Sequence, residues 1–311
     1  MRGWVLGAVL ALGLPNVAHA TTGLQWQWPA EGRRYELLAD LTLPSLMVLQ
    51  ADENFEVRAH RVQIDAITTC KPRTENAPKS GWILDCTIDD VALRVGITAS
   101  SEGREDKVIP ELDQKLTGAV VQVTLSPDGH IRNIDLEGVN KQDTRRAAIH
   151  ENLRLILSRA FSLLDFEMPS KGDDKGKGTW KVSDVSAVDL PSNTGSLGSL
   201  PVVNTITANE NSIIAVTSEG KGVLASGETI VVGGTTQPAF TWQMTYKGES
   251  HFDYAKGTLL DRQYLSDGEP TASSFSANGT KGQPYLQMAR LTLLKATDTI
   301  DLGASGVLPP T

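Results

Sequence analysis

The segment Gln142–Met168, QDTRRAAIHENLRLILSRAFSLLDFEM, is the one long stretch of helical spacing downstream of residue 20. At about 100° per residue, Ile149, Leu153, Ile156, Leu157, Ala160, Leu163 and Leu164 share an arc of roughly 120°. Glu151, Arg154, Ser158, Ser162 and Asp165 fall opposite. Asn140 or Asp143 offers a cap at the start, and Pro169 with Gly172 a stop, so the spacing predicts a helix over 142–168. Leu155 projects off the main arc, in line with Ala148 and Phe166. This second stripe implies contact on another side, with other chain or with a ligand or partner. Ala148, Leu155 and Phe166 are therefore the candidate ligand or partner contacts.

Strand-like sequence flanks the helix. Upstream, Tyr35, Leu37, Ala39, Leu41 and Leu43 alternate with Arg34, Glu36, Asp40 and Thr42. Phe55, Val57 and Ala59 are odd-numbered, whereas Val62, Ile64 and Ala66 are even, and the change predicts a bulge at His60-Arg61. The same switch between Trp82–Ile88 and Val91–Ile97 predicts a second bulge at Asp89-Asp90. A short helix is possible at Ile109–Leu116, and a hairpin follows, turning at Ser126-Pro127-Asp128-Gly129. Downstream, a short strand is expected at Trp180–Val182 and a linker at Asn193–Ser199. In Ala239–Tyr254 one face carries Phe240, Trp242, Met244, Tyr246, Phe252 and Tyr254, interrupted by Gly248 and Ser250, where a bend is expected. Turns at Ala255-Lys256-Gly257, Asp267-Gly268 and Asn278-Gly279 would join the remaining strands as a meander.

Residues 1–20 read as a secretory signal peptide: Arg2, an apolar run over Trp4–Leu14, and the small-x-small site Ala18-His19-Ala20. The run is too short to span a bilayer, and residues 21–311 contain no other long apolar segment. The expectation is an exported, soluble protein, periplasmic or extracellular. A formal net charge of −8 argues against nucleic acid as a partner. Cys70 and Cys86 are the two cysteines, and both share the apolar parity of their strands. In an oxidising compartment they most simply form a disulfide, closing a loop of about 15 residues; free thiols or a metal site are the alternatives.

The motifs of catalysis are missing from the sequence. His150-Glu151 opens like a helical zinc-protease signature, but Arg154 stands where its second histidine belongs. Gly195-Ser196-Leu197-Gly198-Ser199 has the wrong spacing for a nucleophile elbow. Asp89-Asp90 and Asp173-Asp174 could bind calcium, against the plainer reading of an exposed bulge and loop. No catalytic residue, metal ligand or cofactor is assigned.

The predicted class is α+β, mainly β: curved antiparallel sheet wrapped around one long amphipathic helix. Residues 21–191 form a first half holding helix 142–168, and residues 200–311 an antiparallel second half packed with it as one unit. With its leader, bulged strands, VQVTLSPDGHIRNIDLEG hairpin, single helix and long aromatic strand, the chain resembles uncharacterised exported bacterial β-rich proteins. Its layout is also similar to the periplasmic lipoprotein-carrier superfamily, a resemblance that implies a curved sheet around helix able to hold an acyl chain. No functional residue carries over. The expected function is a non-catalytic binding or scaffold protein of the cell envelope, its partner an apolar small molecule or an envelope protein. The alternative is an exported hydrolase whose site is assembled from distant residues.

Overall fold

The computed structural model describes residues 25–48, 55–73, 80–98, 105–108, 116–136, 156–169, 178–182, 196–197, 200–226, 229–232, 234–238, 241–271, 285–300 and 302. The chain is mainly β. Its strands are β1 (Arg33–Val48), β2 (Phe55–Pro72), β3 (Trp82–Thr98), β4 (Glu105–Val108), β5 (Val120–Leu125), β6 (Ile131–Asp135), β7 (Thr179–Val182) and β8 (Ser196–Leu197). They continue as β9 (Val202–Glu210), β10 (Ile213–Ser226), β11 (Thr229–Val232), β12 (Thr235–Pro238), β13 (Thr241–Asp253), β14 (Thr258–Pro270) and β15 (Tyr285–Leu294). Thirteen of these form one antiparallel sheet with the path β6-β5-β3-β2-β1-β15-β14-β13-β10-β9-β7; β4 adds to β3 and β8 to β10, while β11 and β12 pair separately.

The alternation in β1 through β3 builds one apolar face. Tyr35, Leu37, Ala39 and Leu41 are buried with Val62, Ile64 and Ala66, and with Leu84, Cys86, Ile88, Val91 and Leu93. The bulge expected at Asp89-Asp90 is present: Ile67 pairs Asp90 and Thr68 pairs Ile88, so Asp89 is the extra residue. It resets the parity of β3 and keeps Val91 and Leu93 on the core side. The bulge expected at His60-Arg61 is absent, because β1 and β2 pair without a shift from Arg33↔Cys70 to Val48↔Phe55. Cys70 and Cys86 sit directly opposite each other, fully buried, and form the disulfide, with a Cα–Cα distance of 3.9 Å.

The centre of the sheet is buried on both sides. Glu36, Asp40, Gln63 and Asp65 lie on the opposite face of β1 and β2, and each is less than a tenth exposed. Buried charge needs a partner, and Arg290 of β15 reaches Glu36 at 3.4 Å across the β1–β15 seam.

In the second half, Trp242, Met244, Tyr246, Ser250 and Phe252 of β13 point to the core as their alternation requires. No register shift falls near Gly248, where β13 pairs β10 and β14 continuously; the bulge lies between His251 and Phe252, where Leu260 is the extra residue. Asp267-Gly268 is not a turn either; both residues pair on each side, with β13 and with β15. The hairpin between β9 and β10 turns at Asn211 and Ser212, both at positive φ. Such two-residue turns match the twist of the strands they join.

The helix is the main correction. Among the described residues of this segment helix covers 156–162, followed by a turn and then irregular backbone from Asp165 to Pro169. A helix reaching Met168 is therefore excluded; residues 142–155, with Ala148 and Leu155, lie outside the described residues. Long-range donors account for the early end. The Phe166 carbonyl accepts from Trp26 Nε1 at 3.2 Å, and the Glu167 carbonyl from Trp180 Nε1 at 3.1 Å. The Met168 amide donates to Asp128 O at 2.8 Å. A continued helix would take the Met168 amide from Asp128, whereas the two carbonyls, free at any helix end here, find tertiary donors. What remains of the helix lays Ile156, Leu157, Ala160, Phe161, Leu163 and Leu164 on the core face of the sheet.

Candidate functional site

One row of the sheet shows where the core changes character. It runs Leu93–Ile64–Ala39–Ala289–Tyr264–Gly248–Ser218–Asn204 through eight strands. The first four residues are apolar, and the last four are polar or lack a side chain. The adjacent row carries Leu291, Arg262, Ser250 and Val216 in the same order. A polar lane thus crosses the otherwise apolar face of β14, β13, β10 and β9.

The end of the helix covers this lane with polar groups of its own. Arg159 is only 6% exposed, and it lines a cleft together with Ser162, Asp165, Phe166 and Glu167. Val182, Val202, Asn204, Ser218, Arg262 and Tyr264 form the sheet side. The cavity is partly enclosed and measures about 30 Å³. That holds one or a few waters, or the polar end of a ligand, and not an acyl chain.

Small residues create the room. A Cβ on Gly248 would press on Tyr246 at 3.3 Å and on Ser218 at 3.4 Å. In the space left, the Tyr246 and Tyr264 rings stack with centroids 5.3 Å apart. Ser218 Oγ donates to Asn204 Oδ1 at 2.6 Å, and both residues line the cleft. Burial pushes the Tyr264 hydroxyl pKa up, with nearby Arg159 opposing. Burial would lower the pKa of Arg262, but Tyr246, Asp165 and Tyr264 more than offset it and hold the guanidinium charged. Arg262 Nη1 is nonetheless buried without a hydrogen-bond partner.

Asp165 ties the cleft to the β5–β6 hairpin. It accepts from the Ile131 amide at 3.2 Å and lies 3.3 Å from His130 Nδ1. The hydrogen bond to Asp165 raises the His130 pKa to about 9 against a smaller effect of burial, and the charges of Asp165, Glu167 and Asp128 add to the rise. Ser126, in the same hairpin, spends its hydroxyl on the His130 backbone and the Asp128 carboxylate, not on the imidazole. His251 pairs with Asp261 at 2.7 Å across β13 and β14. Among the described residues, neither ring bonds a serine hydroxyl, and no three His, Cys, Asp or Glu side chains gather as metal ligands. Asp89 accepts from Thr69 and Asp90 from the Val91 amide, so the bulge carboxylates are used locally. His60, His150 and Asp173-Asp174 lie outside the described side chains.

Phe166 is the candidate contact that can be placed. It stands beyond the helix, 4% exposed, stacked on Phe252 at 5.5 Å and forming part of the cleft wall. Arg159 and Arg262 were not singled out by sequence. The available signal was parity: Arg262 and Ser250 occupy core-facing positions among apolar neighbours, and Arg159 flanks the helix's apolar arc.

No family model matches the chain, and no curated protein matches it by sequence. Among solved structures, the chain is similar to one described as "Lipid-protein interactions in lipovitellin", with a TM-score of 0.48 and 13% identity. The match covers 88% of this chain and 26% of that one. No helix among the described residues is long and apolar enough to cross a membrane.

Proposed function

We propose that the protein is a non-catalytic binding protein of the cell envelope, exported by its N-terminal leader to the periplasm or the cell exterior. In this reading the sheet, curving over the helix, is a rigid scaffold that presents the cleft to a ligand with an apolar body. The carrying observation is the partly enclosed cleft on the core face, lined by Arg262, whose Nη1 is buried without a partner. A buried donor without a partner costs on the order of 1–3 kcal/mol or more when charged. Trp28, Arg33, Tyr35 and Arg290 also hold a buried polar atom without a partner, but of these residues only Arg262 lines the cleft, and pockets with a few convergent polar groups are the usual binding sites. Phe166, Val182 and Val202 supply the apolar lining.

Native mass spectrometry of protein purified from its own envelope, followed by solvent extraction, tests the reading. The expected result is a bound small molecule that leaves on extraction. Repeated preparations with no added mass and no extractable compound would overturn it.

A further inference from the structure

We propose that the space held by Trp26 and Trp28 is the apolar subsite of the cleft, and that residues 25–29 are a plug which the hydrocarbon body of an amphiphile displaces. The proposal rests on the binding reading above and says where that body goes. The cleft itself, at about 30 Å³, is too small for it. Its wall at Phe166 is where the plug begins. The Phe166 carbonyl accepts from Trp26 Nε1 at 3.2 Å, and the Phe166 ring stacks on Phe252, which Trp26 meets edge-on at 5.4 Å. Withdrawing the Trp26 indole extends the cleft along this aromatic wall toward Trp28, stacked on Trp26 at 5.9 Å, and Tyr35.

Three observations mark the segment as displaceable. Residues 25–29 are neither helix nor strand, and Trp26 and Trp28 are buried while Gln25 and Gln27 are exposed. The segment therefore lies on the protein with its indoles turned inward. The second is its attachment. The Gln27 amide donates to Gly257 O at 3.0 Å, outside the ladders of the sheet. With the leader cut after Ala20, only residues 21–25 would precede Trp26, leaving a free end that swings about Pro29 without opening a loop. The third is the state of the polar atoms around Trp28. Trp28 Nε1, Arg33 Nη1 and the Tyr35 hydroxyl are all buried without a partner. They sit together: Arg33 Cζ lies 4.8 Å from the Trp28 ring centre and the Tyr35 ring 6.3 Å from it. Withdrawing Trp28 returns its own N–H to water and uncovers the other two, which offsets part of the cost of exposing the indoles. A hydrocarbon body that fills the space restores the apolar burial. Arg33 over the Trp28 ring favours the closed form when no ligand is present.

Hydrogen exchange over residues 25–32, read by mass spectrometry with and without N-phenyl-1-naphthylamine, tests the proposal. It is run on wild type and Gln27→Pro, each refolded from urea to free it of bound compound. Gln27→Pro removes the amide that donates to Gly257 and keeps both indoles. Probe binding should speed exchange over 25–32 in wild type. Gln27→Pro should bind the probe about three- to tenfold more tightly, because weakening the closed form raises the fraction open to ligand. Probe binding that leaves this exchange unchanged or slows it, with equal affinity in both proteins, would overturn the plug and leave the binding reading intact. No probe binding by either protein, with a compound still co-purifying from the envelope, would overturn the apolar subsite alone. No probe binding and no co-purified compound would overturn both. Melting temperatures monitor folding, and Gly129→Ala, whose Cβ would overlap the Trp26 indole, carries the test if Gln27→Pro unfolds.

Discussion

Gly129→Ala should destabilise the protein mainly through one aromatic ring. Gly129 has φ +91°, a left-handed backbone for which a side chain costs about 1–2 kcal/mol. A Cβ placed there would overlap the Trp26 indole and come within 2.5 Å of the Phe166 carbonyl oxygen. Overpacking of that kind adds about 1–3 kcal/mol, so the substitution should cost about 3 kcal/mol in all. Trp26 is 3% exposed, lies parallel to Trp28 at 5.9 Å, meets Phe252 edge-on at 5.4 Å, and donates to Phe166. Trp26→Ala alone should cost about 3–5 kcal/mol. In that background the ring is gone, and Gly129→Ala should keep only its backbone share and the contact with the Phe166 carbonyl, about 1–2 kcal/mol. The double-mutant cycle should therefore show about 1–2 kcal/mol of coupling. Urea unfolding followed by far-UV circular dichroism measures it on the four proteins without relying on tryptophan emission. Additivity within about 0.5 kcal/mol would refute the claim that the hairpin turn and the indole are packed as a unit.

Replacing Cys70 and Cys86 together by alanine should lower stability by about 3 kcal/mol, the loop-closure value for a bridge spanning 16 residues, read as a drop in the urea midpoint. The His130–Asp165 pair predicts a pH dependence. Because the folded pKa is raised from 6.5 to about 9, its stabilisation is complete below about pH 6.5 and disappears as pH rises through 9. The ring is 43% exposed, so solvent screening limits the effect to about 1 kcal/mol, and Asp165→Asn should flatten the slope between those pH values. The Tyr35 hydroxyl is buried without a partner in hydrogen-bond geometry, and burial pushes its pKa up to about 12, with Arg33 nearby opposing. Tyr35→Phe should accordingly cost less than about 0.5 kcal/mol, and should remove one tyrosine that ionises only near pH 12 in an alkaline ultraviolet titration.

What could be read from sequence was whatever depends on near neighbours along the chain. The parity step at Asp89-Asp90 announced its bulge because the two sides of β3 share one core. The Ser126–Gly129 turn carried its own signal, and the parity of Cys70 and Cys86 placed both sulfurs inward. Parity misled at His60-Arg61, where β1 and β2 pair with no register shift. The helix end was hidden for a different reason. Pro169 is the local stop signal, but the donors that end the helix earlier include Trp26, 140 residues away in sequence. The cleft was hidden in the same way: Asn204, Ser218, Gly248 and Tyr264 form a row only once four strands are in register. At Asp267-Gly268 a good turn dipeptide lost to the pairing available on both sides of β14.

The seam between β1 and β15 bears on the order in which the molecule comes into being. Glu36 and Arg290, which meet across it, stand 254 residues apart in sequence. As the chain emerges, β1 can zip to β2 at once, but its other edge stays unpaired until nearly the last strand is made. Contacts of such long range close slowly, since the loop entropy must be met before the pairing rewards it. The first hairpins can form and melt while the sheet waits to be completed. That late closure keeps the polypeptide pliable until its final strands have been made.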